Sequence, residues 1–113
     1  MENSCQNISR LEDTGFYYTM NLIQRKYKLF ILYTLSEAKV IRFNELRRHI
    51  GGISFKTLSS TLKELEADGL VYRQQYSQIP PKVEYSLTET GASLIPILDQ
   101  ICVWGEEHRP YSI

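Results

Sequence analysis

Lys56, Ser59, Ser60 and Lys63 follow one another at intervals of three, one and three residues, so a helix over this stretch carries all four on one side. Two ammonium groups and two hydroxyls on one face can bond phosphate oxygens and the hydrogen-bonding edges of bases. Short side chains also let such a helix approach its target closely. Ser54 heads the segment and Thr57 lies at its flank. A merely solvated face is the competing reading, but serines paired mid-helix are poor helix formers, so propensity alone does not account for them. Glu64, Glu66 and Asp68 cannot sit against phosphates, which leaves the first half of the segment as the half that enters a groove. Upstream, Arg42, Arg47 and Arg48 suit phosphate contacts that set register without reading sequence; ordinary surface charge is the alternative for each. Downstream, Arg73, Gln78 and Lys82 flank Pro80-Pro81 and could approach a backbone or a minor groove, or simply accompany a stiff turn.

No comparable set of residues supports catalysis. His49 and His108 are the only histidines, without a nearby carboxylate arrangement, and no Gly-x-Ser-x-Gly elbow, His-Glu-x-x-His pair or phosphate-cradling glycine loop occurs. Cys102 and His108 are a poor metal pair without further ligands, so neither metal nor cofactor is expected. Cys5 and Cys102 sit far apart, which argues against a disulfide scaffold and for the reducing cytosol. Reactive thiols need exposure and a lowered pKa. Cys5 has only Arg10 nearby, and Cys102 falls on an apolar stripe. Tyr17, Tyr18, Tyr27 and Tyr33 form an aromatic group that reads as core before it reads as a ligand pocket.

The chain of 113 residues has room for one domain, and 42% hydrophobic with 23% charged residues is an ordinary globular composition. No apolar run is long enough to span a membrane, and no signal-peptide pattern opens the chain. The net charge of zero hides a pattern. Residues 14–63 hold nine bases against two acids, for +7, whereas residues 1–13 carry −2 and residues 64–113 carry −5. A strongly basic half is what a segment facing phosphates needs.

Several elements must position these groups. Residues 1–13 read as a mobile polar arm. Phe16, Met20, Ile23 and Tyr27 recur at helical spacing, and Leu29, Phe30, Leu32, Tyr33 and Leu35 cover so many sides that they predict a central, buried helix. Val40 to Phe43 suggests a short extended piece. Asn44 is placed to cap a brief helix with Leu46 and Ile50 inward, and Gly51-Gly52 breaks it. Ser54 caps the next helix, whose Phe55, Leu58, Leu62 and Leu65 form one apolar stripe ending at Gly69. Alternation through Leu70–Tyr76 and Val83–Leu87 around Ser77–Pro81 predicts a β-hairpin. Thr88 caps a long last helix that frays near Pro110. The expected class is therefore mainly α with a small β-hairpin (α+β). Two helices across a glycine turn, followed by a hairpin, make a winged helix-turn-helix over residues 14–106, with 107–113 as a frayed tail.

The residues that carry this pattern resemble those of the HxlR-type bacterial transcriptional regulators. The match runs through Arg42-Phe43-Asn44-Glu45-Leu46-Arg47-Arg48, Gly52-Ile53-Ser54, Leu62–Leu70, Pro80–Thr88 with Gly91, and Trp104-Gly105. The resemblance implies a winged-helix homodimer on palindromic operator DNA, usually a repressor, with added terminal dimerisation helices. Phe16, Tyr17 and Met20 with Leu94, Ile95, Leu98, Ile101 and Cys102 are the expected dimer surface, although both helices could instead cover only their own core. Many members place a Cys-Pro pair, a redox sensor in some, where this chain has Thr14-Gly15. The alternatives to DNA reading are a winged helix for protein or RNA contacts and thiol sensing through Cys5. The effector is not legible.

Overall fold

The computed structural model describes residues 10–110 and is arranged around one helix, α2 (Lys26–Ala38). Ile31, Leu32 and Leu35 are wholly or almost wholly excluded from solvent, and α2 packs against each of the later helices and one strand. Phe30 departs from the expectation of burial all round: it stands on the outer side of α2, 55% exposed. Before α2 lies α1 (Gly15–Ile23), preceded by a single 3-10 turn (Leu11–Asp13). Thr14 caps α1: its Oγ1 accepts from the Tyr17 amide at 3.1 Å and donates to the Leu11 carbonyl at 2.8 Å. Arg25 is extended and separates the two helices, so Tyr27 begins α2 instead of ending α1.

The chain then forms β1 (Ile41–Arg42), α3 (Phe43–Ile50), α4 (Phe55–Ala67), β2 (Val71–Tyr76), β3 (Lys82–Leu87) and α5 (Glu89–His108). β2 and β3 are the expected hairpin, from Val71 opposite Leu87 to Tyr76 opposite Lys82. The extended piece before α3 proves to be a third strand: β1 pairs antiparallel with β3 through Ile41–Tyr85 and Arg42–Glu84, giving the order β1-β3-β2. Two residues carry too little alternation to announce a strand; pairing with β3 makes it one. Asn44 does not cap α3, because the helix already begins at Phe43; Arg42 holds the N-cap without a side-chain bond.

The turn between α3 and α4 runs through Gly51 and Gly52, both at positive φ (68° and 69°), where a side chain would be strained. The C-terminus of α4 is closed by two bonds, from the Leu70 amide to the Leu65 carbonyl and from the Gly69 amide to the Glu66 carbonyl, each 3.0 Å. Gly69 at φ 78° and the buried pair Leu65 and Leu70 complete this Schellman cap. Chain reversal and burial are thus set by the same six residues.

α5 begins hard against that cap. The Thr88 hydroxyl donates to the Gly69 carbonyl at 2.6 Å while accepting from the Gly91 amide at 3.0 Å, and the Thr88 amide donates to the Leu70 carbonyl at 3.1 Å. A Cβ on Gly91 would stand only 2.1 Å from the Leu70 carbonyl oxygen. Backbone cannot yield as a side-chain tip can, so α5 would have to move off the wing. Gly91→Ala is therefore expected to cost about 1–3 kcal/mol of stability, by overpacking. Urea unfolding followed by circular dichroism checks this; an unchanged midpoint would contradict the close approach.

Candidate nucleic-acid interface

α4 has two unlike faces. Leu58, Leu62 and Leu65 are fully buried or nearly so, and Thr61 joins them, its hydroxyl donating to the Thr57 carbonyl at 2.7 Å. Lys56, Ser60 and Lys63 are exposed and Ser59 is half-buried on the other side. The hydroxyls are not equally available. Ser54 caps the helix, accepting from the Thr57 amide at 3.0 Å and donating to Thr57 Oγ1 at 2.9 Å, and Ser60 donates to the Thr57 carbonyl at 3.1 Å. Ser54 and Ser60 have therefore committed their hydroxyl protons within the first turns and keep only lone pairs for a partner, whereas the Thr57 hydroxyl, an acceptor from Ser54, still has its proton to donate. Among the described residues neither Lys56 nor Lys63 makes an ion pair.

Phe55 does not continue the inward stripe. It opens α4 at 61% exposure, its ring tilted against Phe43 with centroids 4.7 Å apart. One residue past the cap, the helix has not yet reached the core, so the three-four spacing overextends the stripe by one position.

Two of the three acids, Glu64 on α4 and Asp68 at its C-cap, are drawn away from the polar face toward α2, whereas Glu66 stays exposed and borders the groove lined by Ser59, Lys63 and Arg73. Lys28, 3% exposed, places Nζ 3.3 Å from Glu64 Oε2 and 3.9 Å from Asp68 Oδ2, and Arg25 Nη1 lies 3.1 Å from Glu64 Oε1. A buried ammonium without its carboxylates would carry a large desolvation cost. The grouping therefore locks the rotation of α4 against α2. It also removes Arg25 and Lys28 from the basic surface, so the +7 of residues 14–63 overstates what faces outward. Glu64→Gln is expected to lower stability by about 1–2 kcal/mol, discounted for the partial exposure of Glu64. Equilibrium unfolding at neutral pH measures it, and no loss would mean Lys28 does not need this partner.

α3 supplies the remaining expected arginines. Arg47 Nε donates to the Ile53 carbonyl at 3.0 Å, tying α3 across the glycine turn, while Arg42 and Arg48 are exposed. Asn44, Arg47, Arg48 and residues 51–54 surround a shallow concavity of about 660 Å³ that borders the start of α4. On the wing, Arg73 is exposed and donates to Gln75 Oε1 at 3.3 Å, and Gln78 is exposed in the turn. Lys82 does not reach out as expected: its Nζ lies 3.4 Å from Glu84 Oε2 and 4.7 Å above the Tyr76 ring. A cation held by a carboxylate and an aromatic face on its own sheet contributes little charge beyond it. Tyr76 also gains from Glu84, whose hydrogen bond pushes the phenol pKa up.

The expected dimer surface divides. Leu94 and Leu98 turn into the chain's own core, where α5 packs on α2, and Ile95 and Met20 are half-buried. Phe16, Tyr17, Ile101 and Cys102 are exposed. With them stand three residues outside that expected surface, Ile97, Val103 and Trp104, exposed by 57%, 51% and 64%. α5 continues past residue 106 to His108, which stacks on Trp104 with centroids 4.3 Å apart and places Nδ1 2.8 Å from the Trp104 carbonyl oxygen. The four tyrosines do not converge. Tyr17 and Tyr18 are exposed on α1; Tyr27 lines a groove with Lys26, Phe30, Thr34 and His49. The Tyr33 hydroxyl is buried and makes no hydrogen bond among the described residues, and burial, reinforced by the nearby Asp99 carboxylate, raises its pKa. Cys5 lies outside the described residues, and Cys102 is a free, exposed thiol. Among the described residues no histidine, cysteine and carboxylate grouping could hold a metal, and no helix is long and apolar enough to cross a membrane.

Two helices joined by a glycine turn, a three-stranded wing and an outward face of lysines and serines define a winged helix-turn-helix transcriptional regulator, a class that acts by binding and not by catalysis. The model of the HxlR-like helix-turn-helix family matches residues 22–112, and the chain belongs to that family. It is 55% identical over 102 residues to an HTH-type transcriptional regulator of Halalkalibacterium halodurans, covering 90% of each chain. It is 46% identical over 99 residues to the HTH-type transcriptional regulator YdzF of Bacillus subtilis, covering 88% of this chain and 91% of that one. Among solved structures, the redox regulator HypR in its oxidized form superposes with a TM-score of 0.76 at 45% identity, over 85% of this chain and 98% of that one.

Proposed function

We propose that the protein is a sequence-specific DNA-binding repressor acting in the cytoplasm as a homodimer on a palindromic operator. α4 enters the major groove by its N-terminal half, and the wing lies along the backbone or minor groove. The observation that carries this reading is the outward face of α4, where Lys56 and Lys63 lack ion-pair partners among the described residues while Glu64 and Asp68 are turned to Lys28 and Glu66 alone of the three acids stays near Lys63. Arg42, Arg47 and Arg48 supply phosphate contacts beside the helix start, and Arg73 and Gln78 supply the wing contacts. Lys82 has the weakest claim, since Glu84 already neutralises it. Each neutralised phosphate contributes about 0.9 to the slope of log affinity against log salt. Lys56→Ala and Lys63→Ala are therefore each expected to weaken operator binding and flatten that slope by about one contact. Gel shifts across a salt series with fragments selected from the host genome test this; unchanged affinity and slope in both variants would overturn the assignment.

A single recognition helix covers one half-site, so specific affinity calls for two copies. The uncovered apolar residues Phe16, Tyr17, Ile97, Ile101 and Trp104 on α1 and α5 support an interface there, since aromatic and aliphatic clusters of this kind are rarely left to water. Light scattering is expected to give twice the 13.2 kDa chain mass for the wild type and the single chain mass for Ile101→Glu with Trp104→Glu. A monomeric wild type at micromolar concentration would refute the dimer.

A further inference from the structure

We infer that Phe55 reads the methyl group of a thymine in each half of the target DNA. The inference rests on the DNA-reading assignment of α4 and extends it to a residue whose spacing pointed to the core. Phe55 is the first residue of α4, at the end that the proposed docking brings closest to the bases, and it is 61% exposed. Its position on the helix borders Ser59 and the lysine face on the side of the wing. It lines an open groove of about 810 Å³ with Ser59, Lys63 and Arg73, and Glu66 borders the same groove further along α4, away from the end that enters the duplex. Phe43, itself half-buried at the start of α3, packs against one side of the ring with centroids 4.7 Å apart.

Among the described residues, this outward aromatic ring has Phe43 as its one aromatic partner and otherwise faces a groove that is polar along Ser59, Lys63, Glu66 and Arg73. Of the groups displayed in the major groove, only the C5 methyl of thymine is apolar, and side chains without hydrogen-bonding atoms recognise bases through it. Lys63 and Arg73 on the same groove suit the phosphates on either side. The lysines and serines can bond any of several bases, whereas an aromatic contact discriminates by one carbon. Phe55 is thus a specificity-determining residue, and Phe43 positions it.

Replacing thymine by uracil removes that methyl and leaves pairing intact, so wild-type protein suffices for the first arm of the test. An operator is selected by the full-length wild type from a random duplex pool, and each thymine is changed in turn to uracil. One thymine per half-site is expected to show a loss of about fourfold in affinity, the worth of one buried methyl. Phe55→Ala should weaken the thymine operator by a similar or larger factor and show no further loss with uracil at that position. Phe55→Gln, which keeps the bulk of a side chain, should behave alike, with thermal unfolding confirming that both variants fold. If every thymine tolerates uracil, or if the uracil and Phe55→Ala losses simply multiply, the assignment of Phe55 is wrong while DNA reading by α4 stands. If no sequence-selective operator can be recovered, DNA reading itself fails and this inference with it.

Discussion

The rotation of α4 about its own axis is the constraint on which the rest depends. Three leucines alone would hold the helix against the core while leaving some freedom to roll. Lys28 removes that freedom, because its buried ammonium must keep Glu64 and Asp68 within reach or bear an uncompensated charge. Apolar burial holds the helix down and the ion group sets its angle. The same contacts draw two of the three nearby acids, Glu64 and Asp68, away from the surface where Lys56 and Lys63 stand. A stabilising interaction in the interior thereby shapes the electrostatics outside.

The elements around α4 fix its ends. Arg47 bridges to Ile53 across the glycine turn, so α3 and the start of α4 move as one piece. The Schellman cap at Gly69 hands the chain to β2, and Thr88 bonds back to the same cap before α5 departs. β1 ties the beginning of α3 into the wing through β3. α4 and the wing therefore share one rigid frame, as the proposed simultaneous contact with two grooves of a duplex requires. α5 is fastened to this frame at its start, but its outer face and α1 leave apolar residues uncovered, which fits a role in pairing two such frames at a set spacing.

Most of this plan was legible in the residues, because helix periodicity, glycine turns and capping residues act locally. Ser54, Thr88, Gly51-Gly52 and Gly69 each do what their local chemistry announces. The exceptions have long-range causes. The two-residue β1 exists only through β3, and Asn44 lost its capping role once pairing pulled the start of α3 back to Phe43. Lys82 and Glu84 lie two apart on one face of β3, but the expected strand began at Val83 and left Lys82 in the turn. Lys28 sat in a basic stretch and gave no sign that it would be buried opposite Glu64, thirty-six residues on. Helix spacing, the glycine turn and the hairpin carried the helix-turn-helix and the wing; the family resemblance added the dimer but did not distinguish buried Leu94 and Leu98 from exposed Ile97 and Trp104. Burial of successive turns of a long helix depends on where its neighbours end.

The central claim is that the outward face of α4 is the surface presented to a nucleotide duplex. Backbone amide shifts of isotope-labelled protein, followed by nuclear magnetic resonance during titration with a selected DNA duplex, test it most directly. The largest changes should fall on residues 54–63, with smaller ones on residues 42–48 and the wing, while residues 97–104 change little. Changes concentrated on α1 and α5, with α4 silent, would contradict the account.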